Sequence, residues 1–197
     1  MVEFHKDIKE LKKYAEEYNV PIMMDEGINF LTNFVIKHKI KNVLEVGTAI
    51  GYSAIMMTLA NPNLKVTSIE RDHERYLEAV KNVKKFNLED RITLIFNDAS
   101  EVELDDKFDL VFIDAAKGKN KEFFKKFSKN LKENGFILTD NISFHGYVNK
   151  DESEIKTRNL RGLVRKIKDY ITFLKENDEF ETTFYELGDG IAVSTRK

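Results

Sequence analysis

The chain has 197 residues, 42% of them hydrophobic, and 34 acidic residues against 32 lysines and arginines leave a formal net charge of −2. The length suits one domain with a real core, and the near balance of charge excludes a chain built as a whole for polyanions while leaving room for a local basic patch. There is no cysteine, which excludes disulfides, thiolate zinc sites and cysteine nucleophiles. No apolar run approaches a membrane span, and the opening "MVEFHKDIKELKKYAEEY" is charged and helical, unlike a secretory leader. A single domain over residues 1–197, soluble, cytoplasmic and without a membrane partner, is expected.

In chain order, residues 5–18 and 26–39 read as helices. "NVLEVG" (42–47), "KVTSIE" (65–70), "ITLIFND" (92–98), "FDLVFID" (108–114) and "GFILTDN" (135–141) read as short strands. Their consecutive apolar positions suit strands buried on both faces. Amphipathic segments lie between them at 52–60, 72–87 and 118–132. In the last, Phe123, Phe124, Phe127 and Leu131 fall at helical spacing with lysines opposite. A helix over 155–177 follows. "TTFYEL" and "IAVSTR" then flank "GDG", a hairpin signal in which Gly188 and Gly190 supply permissive backbone. Strand–helix alternation implies right-handed crossovers. The expected fold is α/β: a Rossmann-like, doubly wound, mostly parallel seven-stranded sheet with a C-terminal antiparallel hairpin strand and extra N-terminal helices.

Ligands of open α/β sheets bind beyond the carboxyl ends of the strands, so the residues at those ends carry the functional signal. The first end reads "LEVGTAIGYSA", where Gly47 and Gly51 bracket a tight strand-to-helix turn. The spacing is not G-x-G-x-x-G and no G-K-[ST] follows, which counts against a dinucleotide site and a P-loop. Glu45, just before the turn, would repel a phosphate and accept from an ammonium group. The second strand ends at Glu70, 23 residues after Gly47, placed to accept from ribose hydroxyls. The third ends in Asn97-Asp98-Ala99. Alone, Glu70 or Asp98 reads equally well as a helix cap. Together the three ends suit a ligand with an ammonium, a ribose and a base but no phosphate, and S-adenosylmethionine is such a ligand.

The fourth strand ends at Asp114 and the fifth at Asp140-Asn141. Consecutive strand residues point to opposite faces, so Asp140 and Asn141 can share a ligand only where the strand breaks, and "TDNISFHG" looks like that break. Two carboxylates and an amide oxygen make a hard site for Mg²⁺, or Mn²⁺ or Ca²⁺, rather than zinc. Asp140 as a loop cap and Asn141 as a turn residue is the plainer alternative.

With these motifs in order, the chain resembles the class I, S-adenosylmethionine-dependent O-methyltransferases of the catechol and caffeoyl-CoA type. The resemblance runs from "PIMMDEGINFL" through "VLEVGTAIGYSA", "SIERD", "FNDA", "FIDAAKG" and "LTDN" to "GDGIAVS". Within the family, "FIDAAKGKNKEFF", "TDNISFHGYV" and "TRNLRGLVRKIKDY" look most like bacterial tRNA 5-hydroxyuridine methyltransferases. The resemblance implies that helices within residues 1–40 cover the cofactor site, with Ile22 and Met23 lining it. Glu45, Gly47, Thr48 and Ser53 would surround the methionine part, Glu70 the ribose, and Asp98 and Ala99 the adenine. Asp114, Asp140 and Asn141 would hold the metal, Asp114 also lying close to the cofactor. Lys117 falls on the family's catalytic lysine, and relatives suggest a homodimer.

The implied reaction is methyl transfer to a hydroxyl oxygen. 5-Hydroxyuridine at the tRNA wobble position carries vicinal oxygens, as a catechol does, so both acceptors suit the same metal site. Six basic residues lie between Lys156 and Lys168, of which Arg158, Arg161, Arg165 and Lys168 recur at helical spacing. With Lys119 and Lys121 they would track phosphates of an anticodon loop; a solvated helix face is the plainer reading. Phe144 and Tyr147 are candidates to stack on an unpaired base, and His145 lies between them. A small-molecule diol is the alternative acceptor, for which the basic stripe is irrelevant. A binding domain without activity is a third reading, against which Asp114, Lys117, Asp140 and Asn141 argue.

Overall fold

A computed structural model describes residues 4–115 and 117–197, with the backbone alone at Lys117 and Glu152. Two helices, α1 (His5–Glu17) and α2 (Asp25–Lys37), precede strand β1 (Asn42–Val46). Then come α3 (Tyr52–Ala60), β2 (Lys65–Glu70), α4 (His73–Lys85), β3 (Ile92–Phe96) and β4 (Phe108–Ile113). The chain closes with α5 (Asn120–Phe127), β5 (Leu131–Thr139), α6 (Arg158–Lys175), β6 (Phe180–Tyr185) and β7 (Ile191–Arg196).

Among the described residues the strands form a seven-stranded sheet in the order β3-β2-β1-β4-β5-β7-β6. β1 to β5 run parallel, while β7 is antiparallel to both β5 and β6. This is the expected Rossmann-like sheet with its C-terminal hairpin. The order reverses between β1 and β4, because the chain winds outward through β2 and β3 and then returns to the other side. Such a switch point opens a crevice at the strand ends, here between the ends of β1 and β4.

Both faces are covered. Residues of α1 to α4 pack with Val43, Leu110 and Phe112 in one core. Residues of α5 and α6 pack with Leu44, Val46, Val111 and Ile113 in the other. Neighbours on β1 thus serve opposite cores, which is why its apolar run is continuous rather than alternating. On the second face Phe124 meets Phe173 and Phe180 edge-on at 5.3 and 5.1 Å. The buried Tyr170 hydroxyl hydrogen-bonds Thr139 at 2.7 Å, so its polar tip is satisfied inside the core.

The expected helix over 118–132 ends early. α5 stops at Phe127, a 3₁₀ turn spans Ser128–Asn130, and β5 begins at Leu131 rather than 135. The Asn130 side chain donates to the carbonyls of Leu104 and Asp106 at 2.7 and 3.1 Å, fixing the chain where it turns. Leu131 pairs with Phe108, and the register slips before Leu110. Gly135 accommodates the irregularity, since a Cβ there would stand 2.8 Å from the Leu131 side chain. Helical spacing of Leu131 with Phe127 therefore misread a residue that belongs to the strand. α6 likewise begins at Arg158, where the Thr157 hydroxyl caps the Leu160 N–H at 3.2 Å. No helix among the described residues is long and apolar enough to cross a membrane.

Candidate functional site

At the switch point a cleft of about 510 Å³ runs along the ends of β1 to β5, a size usual for small-molecule sites. Ile22, Met23, Gly47, Thr48 and Ser53 line one part, with Glu70, Asp98 and Ala99 at one end and Asp114, Asp140 and Asn141 at the other. The side chains expected around the cofactor and the metal thus meet in one cleft, with Glu45 the exception.

Gly47 makes the turn possible. Its φ is +104°, and a Cβ would stand 2.1 Å from the Asp114 carbonyl oxygen. The two strand ends are held together there, with Asp114 N–H donating to the Val46 carbonyl at 3.0 Å.

Glu45 does not reach the cleft as expected. It is fully buried one layer behind the wall, accepting from Ser53 Oγ at 2.5 Å and from Ser68 Oγ. Ser68 also bonds Thr48 Oγ1 at 2.6 Å. Its position on β1 points it inward beneath α3, so Ser53 and Thr48 present the polar surface in its place. Burial, against the lowering effect of the two serines, pushes the Glu45 carboxyl up to about 8.

Glu70 is held by three backbone N–H groups. Oε2 accepts from Ala49 at 2.7 Å, and Oε1 from Arg71 and Asp72 at 2.9 and 2.8 Å. These bonds fix the carboxylate at the cleft wall. Asp98 accepts from the Ser100 N–H at 2.9 Å, and Lys119 and Arg71 lie 3.6 and 3.4 Å away. The Ser100 hydrogen bonds, with the two cations adding to them, hold its carboxyl down at about 2.

Lys119 therefore does not point outward to a phosphate. Its ammonium turns back to Ser100 Oγ at 2.7 Å, beside Asp98, and lines the cleft. Arg161 is also engaged, its Nη1 donating to the Ile155 carbonyl at 2.6 Å. Lys121 lies over the Phe173 ring at 5.1 Å. By surface area Arg158 and Arg165 are exposed on α6. Phe144 and Tyr147 stand 5.7 Å apart and do not line the cleft, whereas His145 does.

At the other end, Asn141 adopts a φ of +64°. That left-handed residue breaks β5 and turns Asn141 to the side of Asp140. Its Nδ2 donates to Asp114 Oδ1 at 3.1 Å and to Asp140 Oδ2 at 3.2 Å. A half-turn of the amide presents Oδ1 in the same place, giving three hard oxygens from three side chains. That set fits Mg²⁺, Mn²⁺ or Ca²⁺. Among the described residues no group of three or more His, Cys, Asp or Glu is arranged for a metal; a third donor beside the two carboxylates would be the Asn141 amide. The side chain of Lys117 lies outside the described part of the structure. Its backbone opens a 3₁₀ turn, Lys117–Lys119, just after β4.

Asp189 is a site residue that the sequence reading missed. In the sequence it reads only as part of a hairpin turn, yet it is buried and lines the cleft. A carboxylate between two glycines, Gly188 and Gly190, was the available signal. Ser68 was missed for a simpler reason: nothing in a strand pattern says which serine faces a buried carboxylate.

The family model for O-methyltransferases matches residues 2–197. A caffeoyl-CoA O-methyltransferase of Populus kitakamiensis is 30% identical over 98% of this chain and 87% of its own. A flavonoid 3',5'-methyltransferase of Vitis vinifera is 28% identical over 95% and 82%. The crystal structure of a Staphylococcus aureus protein described as a caffeoyl-CoA O-methyltransferase superposes with a TM-score of 0.91 at 32% identity, covering 100% of this chain and 97% of that one. The chain belongs to the O-methyltransferase family.

Proposed function

We propose that the chain transfers the methyl group of S-adenosylmethionine to one hydroxyl of a small vicinal diol, with a divalent cation held by Asp114, Asp140 and Asn141. One observation carries this reading: Asn141 meets Asp114 and Asp140 at 3.1 and 3.2 Å in the cleft whose far end holds Glu70 and Asp98. Hard-oxygen donors and nucleoside-type acceptors thus flank one space. The caffeoyl-CoA and flavonoid names of the relatives support a small acceptor.

In this reading Glu70 accepts from the ribose hydroxyls and Asp98 from the adenine amine. The Gly47 turn lets the methionine part approach the backbone, and Ser53 and Thr48 offer hydroxyls to its polar end. A bound divalent cation would orient two neighbouring acceptor oxygens and lower the pKa of the reacting hydroxyl. Lys117, three residues beyond Asp114, would take the hydroxyl proton or stabilise the resulting oxyanion. Holding the oxygen in line with the methyl carbon contributes about 7–11 kcal/mol.

A second reading keeps this chemistry and changes the acceptor to 5-hydroxyuridine in tRNA. The observation favouring it is the exposed basic face of α6, with Arg158, Arg165, Lys166 and Lys168. The inward turn of Lys119 and the ties of Arg161 to the Ile155 carbonyl and of Lys168 to the Lys150 carbonyl engage part of that basic set, and the small diol is preferred.

Mass spectrometry separates the two. Purified protein, S-adenosylmethionine and Mg²⁺ are incubated with a catechol and, in parallel, with tRNA containing 5-hydroxyuridine. Methylation of the catechol alone is expected. Methylation of tRNA alone, lost in R158E/R165E with cofactor binding intact, would install the second reading, and transfer to neither acceptor would sink both. Near-normal turnover in Lys117→Ala would remove the role given to that lysine.

A further inference from the structure

The loop after β5 carries Asp140 and Asn141, and its backbone is strained. Asn141, Phe144 and His145 have φ of +64°, +48° and +52°, followed by Gly146 at +74°. Three non-glycine residues in the left-handed region within five positions do not hold themselves there. Such conformations persist where surrounding structure fixes them.

The turn between β6 and β7 supplies that hold. Asp189 Oδ1 accepts the Ser143 hydroxyl at 2.9 Å and also the His145 backbone N–H. Its Oδ2 lies 3.6 Å from His145 Nδ1. The backbones are joined as well: Ile142 N–H donates to the Gly190 carbonyl at 3.1 Å, and Ser143 N–H to the Asp189 carbonyl at 2.9 Å. The approach is so close that a Cβ on Gly190 would stand 2.9 Å from Ser143 N. The turn is itself fixed from the start of α2, where Gly188 N–H donates to Glu26 Oε2 at 3.1 Å. A continuous set of contacts therefore runs from the start of α2, through the hairpin turn, to the residue next to Asn141.

We propose that Asp189 is a positioning residue: it holds residues 141–146 in the shape that brings Asn141 to Asp114 and Asp140, and so sets the affinity of that end of the cleft for a divalent cation. Its consequence for metal rests on the functional reading given above. Asp189 itself neither ligates nor reacts. It acts on the ligand Asn141 through the loop, as partners behind a metal ligand do, and losing such a partner typically costs 10–100-fold in metal affinity.

The test compares the full-length wild type with Asp189→Ala, Asp189→Asn and Ser143→Ala. Hydrogen exchange of peptides covering 141–147 reads the loop without metal, and Mn²⁺ titration with S-adenosylhomocysteine present reads the consequence. In Asp189→Ala, exchange should rise and the Mn²⁺ Kd should increase roughly 10–100-fold. S-adenosylhomocysteine affinity should stay within about twofold, since none of these contacts reaches the Glu70 and Asp98 end. Asp189→Asn should restore most of the Mn²⁺ affinity, because an amide oxygen at the Oδ1 position accepts the same two bonds, a rescue that a purely charge-based role would not show. Ser143→Ala removes one contact and should move both quantities the same way by less. It decides the matter if Asp189→Ala does not fold.

Unchanged exchange at 141–147 in Asp189→Ala would overturn the proposal, as would raised exchange with an unchanged Mn²⁺ Kd. Should wild type bind no Mn²⁺ while exchange still rises in Asp189→Ala, the metal reading falls and the hold on the loop stands.

Discussion

Gly47 and Asp114, 67 residues apart in the chain, are in contact at the switch point, and the contact leaves no room for a side chain. A Cβ on Gly47 would stand 2.1 Å from the Asp114 carbonyl oxygen. The ends of β1 and β4 are thereby locked, and Asp114 is presented to the cleft at a fixed height.

Gly47→Ala should displace that carbonyl and strain a residue at φ +104°. The expected loss is at least about 1–3 kcal/mol, seen as a lower melting temperature together with weaker S-adenosylhomocysteine binding by calorimetry. A variant with an unchanged melt and unchanged binding would show that the turn relaxes freely.

Glu45 gives the protein a specific pH dependence. Burial raises its carboxyl to about 8 in the folded chain, against an ordinary value of 4.5. Between those values the folded state holds the extra proton. Stability from this group therefore falls as pH rises through that window and is level above it. Glu45→Gln keeps a neutral, hydrogen-bonding side chain of the same shape. It should match wild type near pH 4.5 and exceed it at pH 8.5 by on the order of a few kcal/mol. Urea unfolding at the two pH values measures the difference, and a gap that does not widen with pH would refute the assignment.

Asp140→Ala and Asn141→Ala should each abolish Mn²⁺ binding in titrations while leaving S-adenosylhomocysteine affinity close to wild type. Chelation of wild type with EDTA should reduce methyl transfer to the same degree, and added Mg²⁺ should restore it. Full turnover in the chelated protein would exclude a metal role for this end of the cleft.

Lys119→Ala should act on the cofactor, because its ammonium sits at Ser100 and beside Asp98. Removing a charged hydrogen-bond donor of this kind costs about 1.5–3 kcal/mol where it is dry and less where, as here, it is half-exposed. Weaker S-adenosylhomocysteine binding of a few fold, with the acceptor KM unchanged, is expected. A raised acceptor KM with unaltered cofactor affinity would place Lys119 on the acceptor instead.

The sequence was legible where chemistry and local geometry coincide. Consecutive apolar residues in β1 and β4 announced strands buried on both faces, and Glu70, Asp98, Asp114 and Asp140 stand out because carboxylates rarely end such runs. Local pattern failed at Leu131, where helical spacing continued past the point at which Asn130 bonded to distant carbonyls. It is silent at Lys119, whose direction depends on where Ser100 lies.

By itself the sequence determined where most of the strands lie, that they are doubly wound and mostly parallel, and the kinds of side chain at their ends. These follow from apolar runs, glycine positions and residue type, all local properties. Only the tertiary structure decided which of those side chains face the cleft. Glu45 is sealed behind Ser53 and Ser68 because its place on β1 turns it under α3. Asn141 joins Asp114 and Asp140 because a left-handed residue breaks β5. Asp189 grips that loop because β7 returns antiparallel beside β5. Each depends on contacts between segments far apart in the chain, which no local pattern encodes.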